Sequence, residues 1–154
     1  MIRKAEIKDI PYLLKLLDEI REHHHKIRPD LFKDSGNKYN DDELKLMIND
    51  NNNPIFVYED NNIVIGYAMT NIIIHENHNV LTNIKTLYID DLCVDSNYRG
   101  NNIGHKLYDY VINYAKSINC YNVTLNVWNG NDRAIKFYES LGLKIQKIGM
   151  ETIL

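Results

Sequence analysis

The chain has little cysteine, no surplus of positive charge and no long apolar run, and each shortage removes a class of function. Only Cys93 and Cys120 are present, both inside apolar or strand-like stretches and with no C-x-x-C pair. They read as buried fillers suited to a reducing cytosol, not as a disulfide framework. No stretch approaches the ~18 consecutive apolar residues of a membrane span, and Met1-Ile2-Arg3-Lys4-Ala5-Glu6 lacks the apolar region of a signal peptide. A cytoplasmic protein with no membrane partner is therefore expected. Lys and Arg number 18 against 21 Asp and Glu, a net charge of −3. Without a basic stripe, phosphate neutralisation over a broad surface is unavailable, so a nucleic-acid partner is not expected.

What is there is ordinary for a globular domain: 154 residues, 44% hydrophobic and 25% charged. That length predicts one domain over 1–154, burying about 68–70% of the unfolded chain's surface without staples. There is no internal repeat, linker or low-complexity tail. Asn and Ile each supply about one residue in seven, an unusual usage.

Ile2 to Ile7 alternates weakly and predicts a short strand. Asp9 stands where a side chain caps a helix and Pro11 where a first turn tolerates proline. Leu13, Leu14, Leu16, Leu17 and Ile20 follow at helical spacing through about Glu22, and Arg28-Pro29 ends that helix. Residues 26–40 read as a loop. Asp41-Asp42-Glu43 then opens a short helix through Ile48, stopped by Asn51-Asn52-Asn53-Pro54. Strand patterns follow at Ile55–Tyr58, Ile63–Ile74 and about Lys85–Val94. The first two are joined by an Asp60-Asn61-Asn62 turn, because Asn tolerates positive φ. A helix carrying Leu107, Val111, Ile112 and Ala115, a strand over Tyr121–Val127, a helix over Asp132–Leu141 stopped by Gly142, and a final strand from Leu143 complete an α+β chain.

The segment Arg99-Gly100-Asn101-Asn102-Ile103-Gly104 lies between a strand and a helix. Glycine lets backbone approach a ligand closely, and the free N–H groups at a helix start favour phosphate. Alone, the loop is equally compatible with a plain strand-to-helix turn, and neither G-x-x-x-x-G-K-S/T nor G-x-G-x-x-G is present.

Its surroundings decide. Tyr88-Ile89-Asp90-Asp91-Leu92-Cys93-Val94-Asp95 precedes the loop, and Asn131-Asp132-Arg133-Ala134-Ile135-Lys136-Phe137-Tyr138-Glu139-Ser140-Leu141-Gly142-Leu143 follows about 30 residues later. Together these segments resemble the GNAT family of N-acetyltransferases across essentially the whole chain. The loop is similar to the family's R/Q-x-x-G-x-G/A signature, and the later block to its N-x-x-A-x-x-F-Y-x-x-x-G-F run. Asn102 replaces the usual Gly, and Asn is the next-best residue at positive φ. Leu143 replaces the usual Phe.

The resemblance implies a single α+β domain with a mixed, mostly antiparallel sheet of about six or seven strands and about four helices on its two faces. It also implies acetyl-CoA as acetyl donor, with no metal. The pyrophosphate would rest on the backbone of Arg99, Gly100, Asn101, Asn102, Ile103 and Gly104. The pantetheine arm would lie against Leu92, Cys93 and Val94 where two strands diverge, touching Asn131.

The acceptor would be a primary amine of a small molecule or a protein. Its ammonium must lose a proton before attack, so a carboxylate or an ordered water is needed. Asp90 and Asp91 stand at the family's acidic positions. Strand alternation sends them to opposite faces, so at most one points at the acceptor; Asp90 is the favoured base, with a solvated or salt-bridged acid as the plain alternative. The Leu92 N–H is the candidate oxyanion donor and Tyr138 the candidate acid for the leaving thiolate. His23-His24-His25 lacks a completing ligand and reads as a helix end. His24 or His25, with Pro29-Asp30-Leu31-Phe32, is a candidate for the acceptor side. Asn126 cannot act as a base. The competing function is a non-catalytic acetyl-CoA-binding or interaction domain of the same fold, and a homodimer is a further expectation by analogy.

Overall fold

Asn61 and Asn62, at φ 49° and 63°, close the two-residue hairpin turn expected from consecutive asparagines. They join β2 (Ile55–Asp60) to β3 (Ile63–Ile74) in a computed structural model that describes residues 1–154. With β1 (Ile2–Lys4), β4 (Lys85–Val94) and β5 (Asn122–Leu125) these form one sheet in the order β1-β2-β3-β4-β5. All neighbours are antiparallel except β4 and β5, which run parallel.

Two helical layers cover it. On one face lie α1 (Ile10–Ile27) and α2 (Asp41–Ile48), whose Leu13, Leu16, Leu17 and Leu44 bury against Val57, Tyr67 and Met69. On the other, α3 (Ile103–Ser117) inserts Val111 and Ala115 between Phe56, Ala68, Leu87 and Ile89. The fourth helix, α4 (Asp132–Ser140), follows β5.

Three expectations are corrected. The sheet has five strands, not six or seven, because residues from Leu143 onward form none. No backbone hydrogen bond involves residues 144–154, and a strand without a hydrogen-bonded neighbour is not stable. Asp9 does not cap α1: it closes the preceding turn by accepting from the Glu6 N–H at 2.8 Å, and receives Arg3 Nη1 at 2.7 Å. The same Arg3 also pairs with Glu59, fixing β1, β2 and the start of α1 to one another. Finally, the loop starts at Arg28 and not at residue 26, because α1 runs on through the three histidines to Ile27, where Arg28-Pro29 ends it as expected.

The register of β4 carries the main consequence. Met69 pairs with Asp91 and Thr70 with Ile89, leaving Asp90 without a partner. This is a β-bulge, two residues on one strand opposite one on the next, and it shifts the alternation of everything that follows.

Candidate active site

Before the bulge, Leu87 and Ile89 pack on the α3 side. Beyond it, Cys93 packs against α1. Alternation on either side of the extra residue therefore brings Asp90 and Asp91 to the same face, the one α1 and α2 cover, which corrects the expectation of opposite faces. Their hydrogen bonds agree. Lys38 Nζ and the Tyr39 hydroxyl, both from the segment between α1 and α2, donate to Asp90 Oδ2 at 2.9 and 2.8 Å. The Tyr67 hydroxyl, wholly buried against α1, donates to Asp91 Oδ2 at 3.0 Å.

The two carboxylates differ in chemistry. Asp90 is partly exposed and already holds a cation. Asp91 is buried with no direct ion pair, and desolvation pushes it up to about 6 against the pull of Lys38, Tyr67 and the Leu92 N–H. A carboxyl so poised changes protonation close to neutral pH.

Tyr138 lies on α4, whose placement is locally determined. The Asn131 side chain caps that helix by accepting from the Ala134 N–H at 3.3 Å, and its Oδ1 also lies 3.2 Å from His23 Nε2. Phe137 then packs against Gly104, where an added Cβ would fall 3.2 Å from the ring. Glycine at 104 thus permits the close approach of α4 to the start of α3. The Tyr138 phenol is pushed above its usual value by burial first and by the Asp91 carboxylate second, so it stays protonated at neutral pH. Burial likewise raises the Cys93 thiol, whose Sγ contacts the Leu16 carbonyl, as fits a core filler.

The loop before α3 has the backbone its sequence anticipates. Gly100 and Asn102 sit at φ 88° and 56°, and a Cβ on Gly100 would meet nothing within 4 Å. Asn102 therefore holds the left-handed position in place of glycine. The N–H groups of Ile103, Gly104 and His105 have no intrahelical acceptor and lie at the positive end of α3. Ile103 contributes backbone only, since its side chain is buried against Ile65 and Leu107. Asn101 Nδ2 donates to the Tyr98 carbonyl, and Arg99 lies 3.5 Å from Glu19 on α1.

Between loop and carboxylates the sheet opens. Pairing of β4 with β5 ends at Ile89 and Leu125, so Leu92, Cys93 and Val94 have a partner strand on the β3 side only. The unpaired edge offers backbone groups, which suits an extended arm rich in amides. The residues present therefore fit a pyrophosphate followed by such an arm. A groove of about 250 Å³ is lined by Thr86 and Tyr88 of β4, ahead of the bulge, and by Thr124, Asn126, Gln146 and Lys147 among others.

The three histidines separate. His23 approaches Asn131, His24 stacks on Phe32 with ring centroids 5.0 Å apart, and His25 Nδ1 lies 2.6 Å from the Phe32 carbonyl. Sequence reasoning missed Lys38, Tyr39 and Tyr67. The first two lie in a segment without periodicity and the third reads as an ordinary strand residue, so no local signal marked them.

Known proteins share the family pattern and the fold. The Acetyltransferase (GNAT) family matches residues 17–143. A glucosamine 6-phosphate N-acetyltransferase of Arabidopsis thaliana is 35% identical over 66 residues, 43% of this chain and 42% of that protein; the chain thus spans less than half of this curated relative's length in the match. Among solved structures, a point mutant of the BH1408 protein from Bacillus halodurans superposes with a TM-score of 0.95 at 30% identity, covering 100% of this chain and 99% of that one. An aminoglycoside acetyltransferase from an uncultured soil metagenomic sample, in complex with sisomicin, shares the fold at a TM-score of 0.75 and 20% identity, covering 100% and 95%.

Proposed function

The chain belongs to the GNAT acetyltransferase family, and from that premise we propose that it transfers the acetyl group of acetyl-CoA to a primary amine by direct attack in a ternary complex. The observation that carries this reading is the bulge at Asp90. It brings a buried, elevated carboxyl to the same face as a segment offering an amine-binding partner, beside a protonated Tyr138 and at the open end of the β4–β5 gap.

Acetyl-CoA supplies an activated thioester carbonyl. The chain's contribution begins with grip: N–H groups from Arg99 to Gly104 hold the pyrophosphate, and the free edge of Leu92 and Val94 holds the arm, with Asn131 alongside. An alkylammonium with a pKa near 10.4 is neutral in only about one molecule in 2,500 at pH 7. A carboxylate titrating near 6 is mostly ionised there, yet is a better proton acceptor than one near 4. This favours Asp91 over Asp90 as the base, while Asp90 attracts and orients the incoming ammonium. The Leu92 N–H, which lies against the Asp91 carboxylate, serves the oxyanion once Asp91 has taken up the proton. Tyr138 donates its proton toward the departing sulfur, a proton that a phenol carries at neutral pH.

Release of free CoA thiol in the presence of polyamines, aminoglycosides, amino acids and N-terminal peptides tests the reading. Turnover with at least one class is expected. Acetyl-CoA binding without turnover of any amine would instead favour the non-catalytic binding domain.

A homodimer is also proposed, supported by the C-terminal segment. Ile145, Ile148 and Ile153 are more than three-quarters exposed and Met150 is 95% exposed, next to a five-stranded sheet whose β5 edge is unpaired. Arg28 anchors this segment through Glu151 at 2.6 Å. Exposed apolar side chains beside a free edge favour pairing with a second copy. Light scattering is expected to give twice the chain mass.

A further inference from the structure

Lys38 is a primary amine already seated on the carboxylate to which an acceptor would come. Its Nζ lies 2.9 Å from Asp90 Oδ2, and the adjacent Tyr39 hydroxyl donates to the same oxygen at 2.8 Å, so the contact is fixed from two neighbouring residues. Lys38 also lies close enough to Asp91 to lower its carboxyl. No other lysine pairs with either acid: Lys8 meets Glu6, Lys15 meets Asp95, Lys26 meets Glu22 and Lys45 meets Asp41. The Lys38 side chain is 44% exposed, and it belongs to the segment between α1 and α2, which has no regular structure from Arg28 to Asn40. A four-carbon stem on such a segment can move its amine over several ångströms.

We propose that Lys38 is an internal occupant of the acceptor-amine site and that, in the absence of an added amine, it is acetylated by the acetyl-CoA bound to the same chain. The inference rests on the acetyl-transfer reading. Chemically, Nζ loses a proton to solvent through the acidic pair, and its lone pair attacks the thioester carbonyl carbon. A C–N bond forms, the C–S bond breaks, and the sulfur leaves as CoA thiol with a proton from Tyr138, which is made good by the second proton that the attacking nitrogen sheds as it becomes an amide. Lysine ammonium and acetyl-CoA thus become acetyl-lysine, CoA thiol and one proton. The acetylated side chain is neutral, so Asp90 loses its internal cation and is free for the ammonium of an external acceptor.

The test uses the full chain incubated with acetyl-CoA alone and mapped by peptide mass spectrometry. Lys38 is expected to be acetylated about tenfold or more faster than the other twelve lysines, as held reactants exceed free ones. The rate should be independent of protein concentration, slowed by Tyr138→Phe, and no longer selective once the chain is heat-unfolded. Lys38→Met gives a second readout. Removing a competing occupant should lower the KM for an amine acceptor about two- to tenfold, in proportion to the fraction of sites Lys38 holds. Acetylation spread evenly over exposed lysines, unchanged selectivity after unfolding, or a raised KM in Lys38→Met would overturn the proposal. If added amines still released CoA, acetyl transfer itself would stand. If neither Lys38 nor any amine were acetylated while acetyl-CoA bound, both would fall.

Discussion

The β1–β2–β3 half of the molecule and the β4–β5 half are built to opposite standards. In the first, β2 pairs with β3 from end to end with one register shift at Tyr58–Glu59, Leu13, Leu16 and Leu17 are at most 1% exposed, and Arg3 ties β1, β2 and α1 with Asp9 and Glu59. In the second, four residue pairs join β4 to β5, the bulge leaves Asp90 unpaired, and residues 144–154 make no backbone hydrogen bond. Stability is concentrated where the backbone is closed, and unpaired polar groups, which a ligand can use, where it is open. The division explains why a buried acid is tolerated at Asp91: Tyr67, on the closed half, holds it in place from across the strand.

The strongest way to break this contrast is a change that removes function without harming the fold. Asp91→Asn is expected to lower kcat/KM by about 10²- to 10⁴-fold, the usual worth of a positioned general base. In wild type the acid limb of the kcat/KM profile should fall below a pH of about 6, and the variant should lose that limb. The stability effect has the opposite sign. Because the folded-state pKa is raised above its ordinary 3.8, Asp91 favours the fold at low pH and loses that contribution as pH rises through about 6. Above that range the variant should equal or exceed wild type in urea titrations, by on the order of 1–3 kcal/mol. A large loss of stability there would mean the carboxylate is a structural element.

Leu16→Ala makes the converse test. Emptying a fully buried site on the closed half should cost about 2–5 kcal/mol of unfolding free energy, while acetyl-CoA affinity measured well below the melting temperature changes little. Tyr138→Phe should then fall between the two, with about 10²-fold lower kcat and an essentially unchanged melting temperature. A variant that turned over a good acceptor at the wild-type rate would remove the acid from the scheme. The smallest effect is expected at Asn102→Gly. Relief of a left-handed non-glycine residue should add less than about 1 kcal/mol, with a correspondingly slight tightening of acetyl-CoA binding by calorimetry.

How far the sequence reached can be judged residue by residue. The hairpin at Asn61-Asn62, the helices with leucine stripes and the left-handed Asn102 all depend on local chemistry, and all stand as expected. The positive-φ loop before α3 was legible for the same reason, being complete within a few consecutive residues, whereas the Asn131 cap on α4 was not anticipated. The face of Asp91 was not. Its direction depends on an extra residue inserted opposite Met69 and Thr70, some twenty residues away, and nothing in Asp90-Asp91 announces a bulge. Lys38, Tyr39 and Tyr67 were hidden likewise, since a hydrogen bond spanning 52, 51 or 24 residues leaves no periodic trace. The final strand failed for a related reason, because alternation supplies one partner of a pair and cannot supply the edge it needs.

By itself the amino-acid sequence determined the elements from β1 to α4, their order and the left-handed turn before α3, because hydrophobic periodicity and positive-φ asparagines act over a turn or two of chain. The tertiary structure decided which of two neighbouring acids is buried, which amine sits beside them and which sheet edge remains open. Those outcomes depend on register and desolvation, and both exist only once distant segments have packed together.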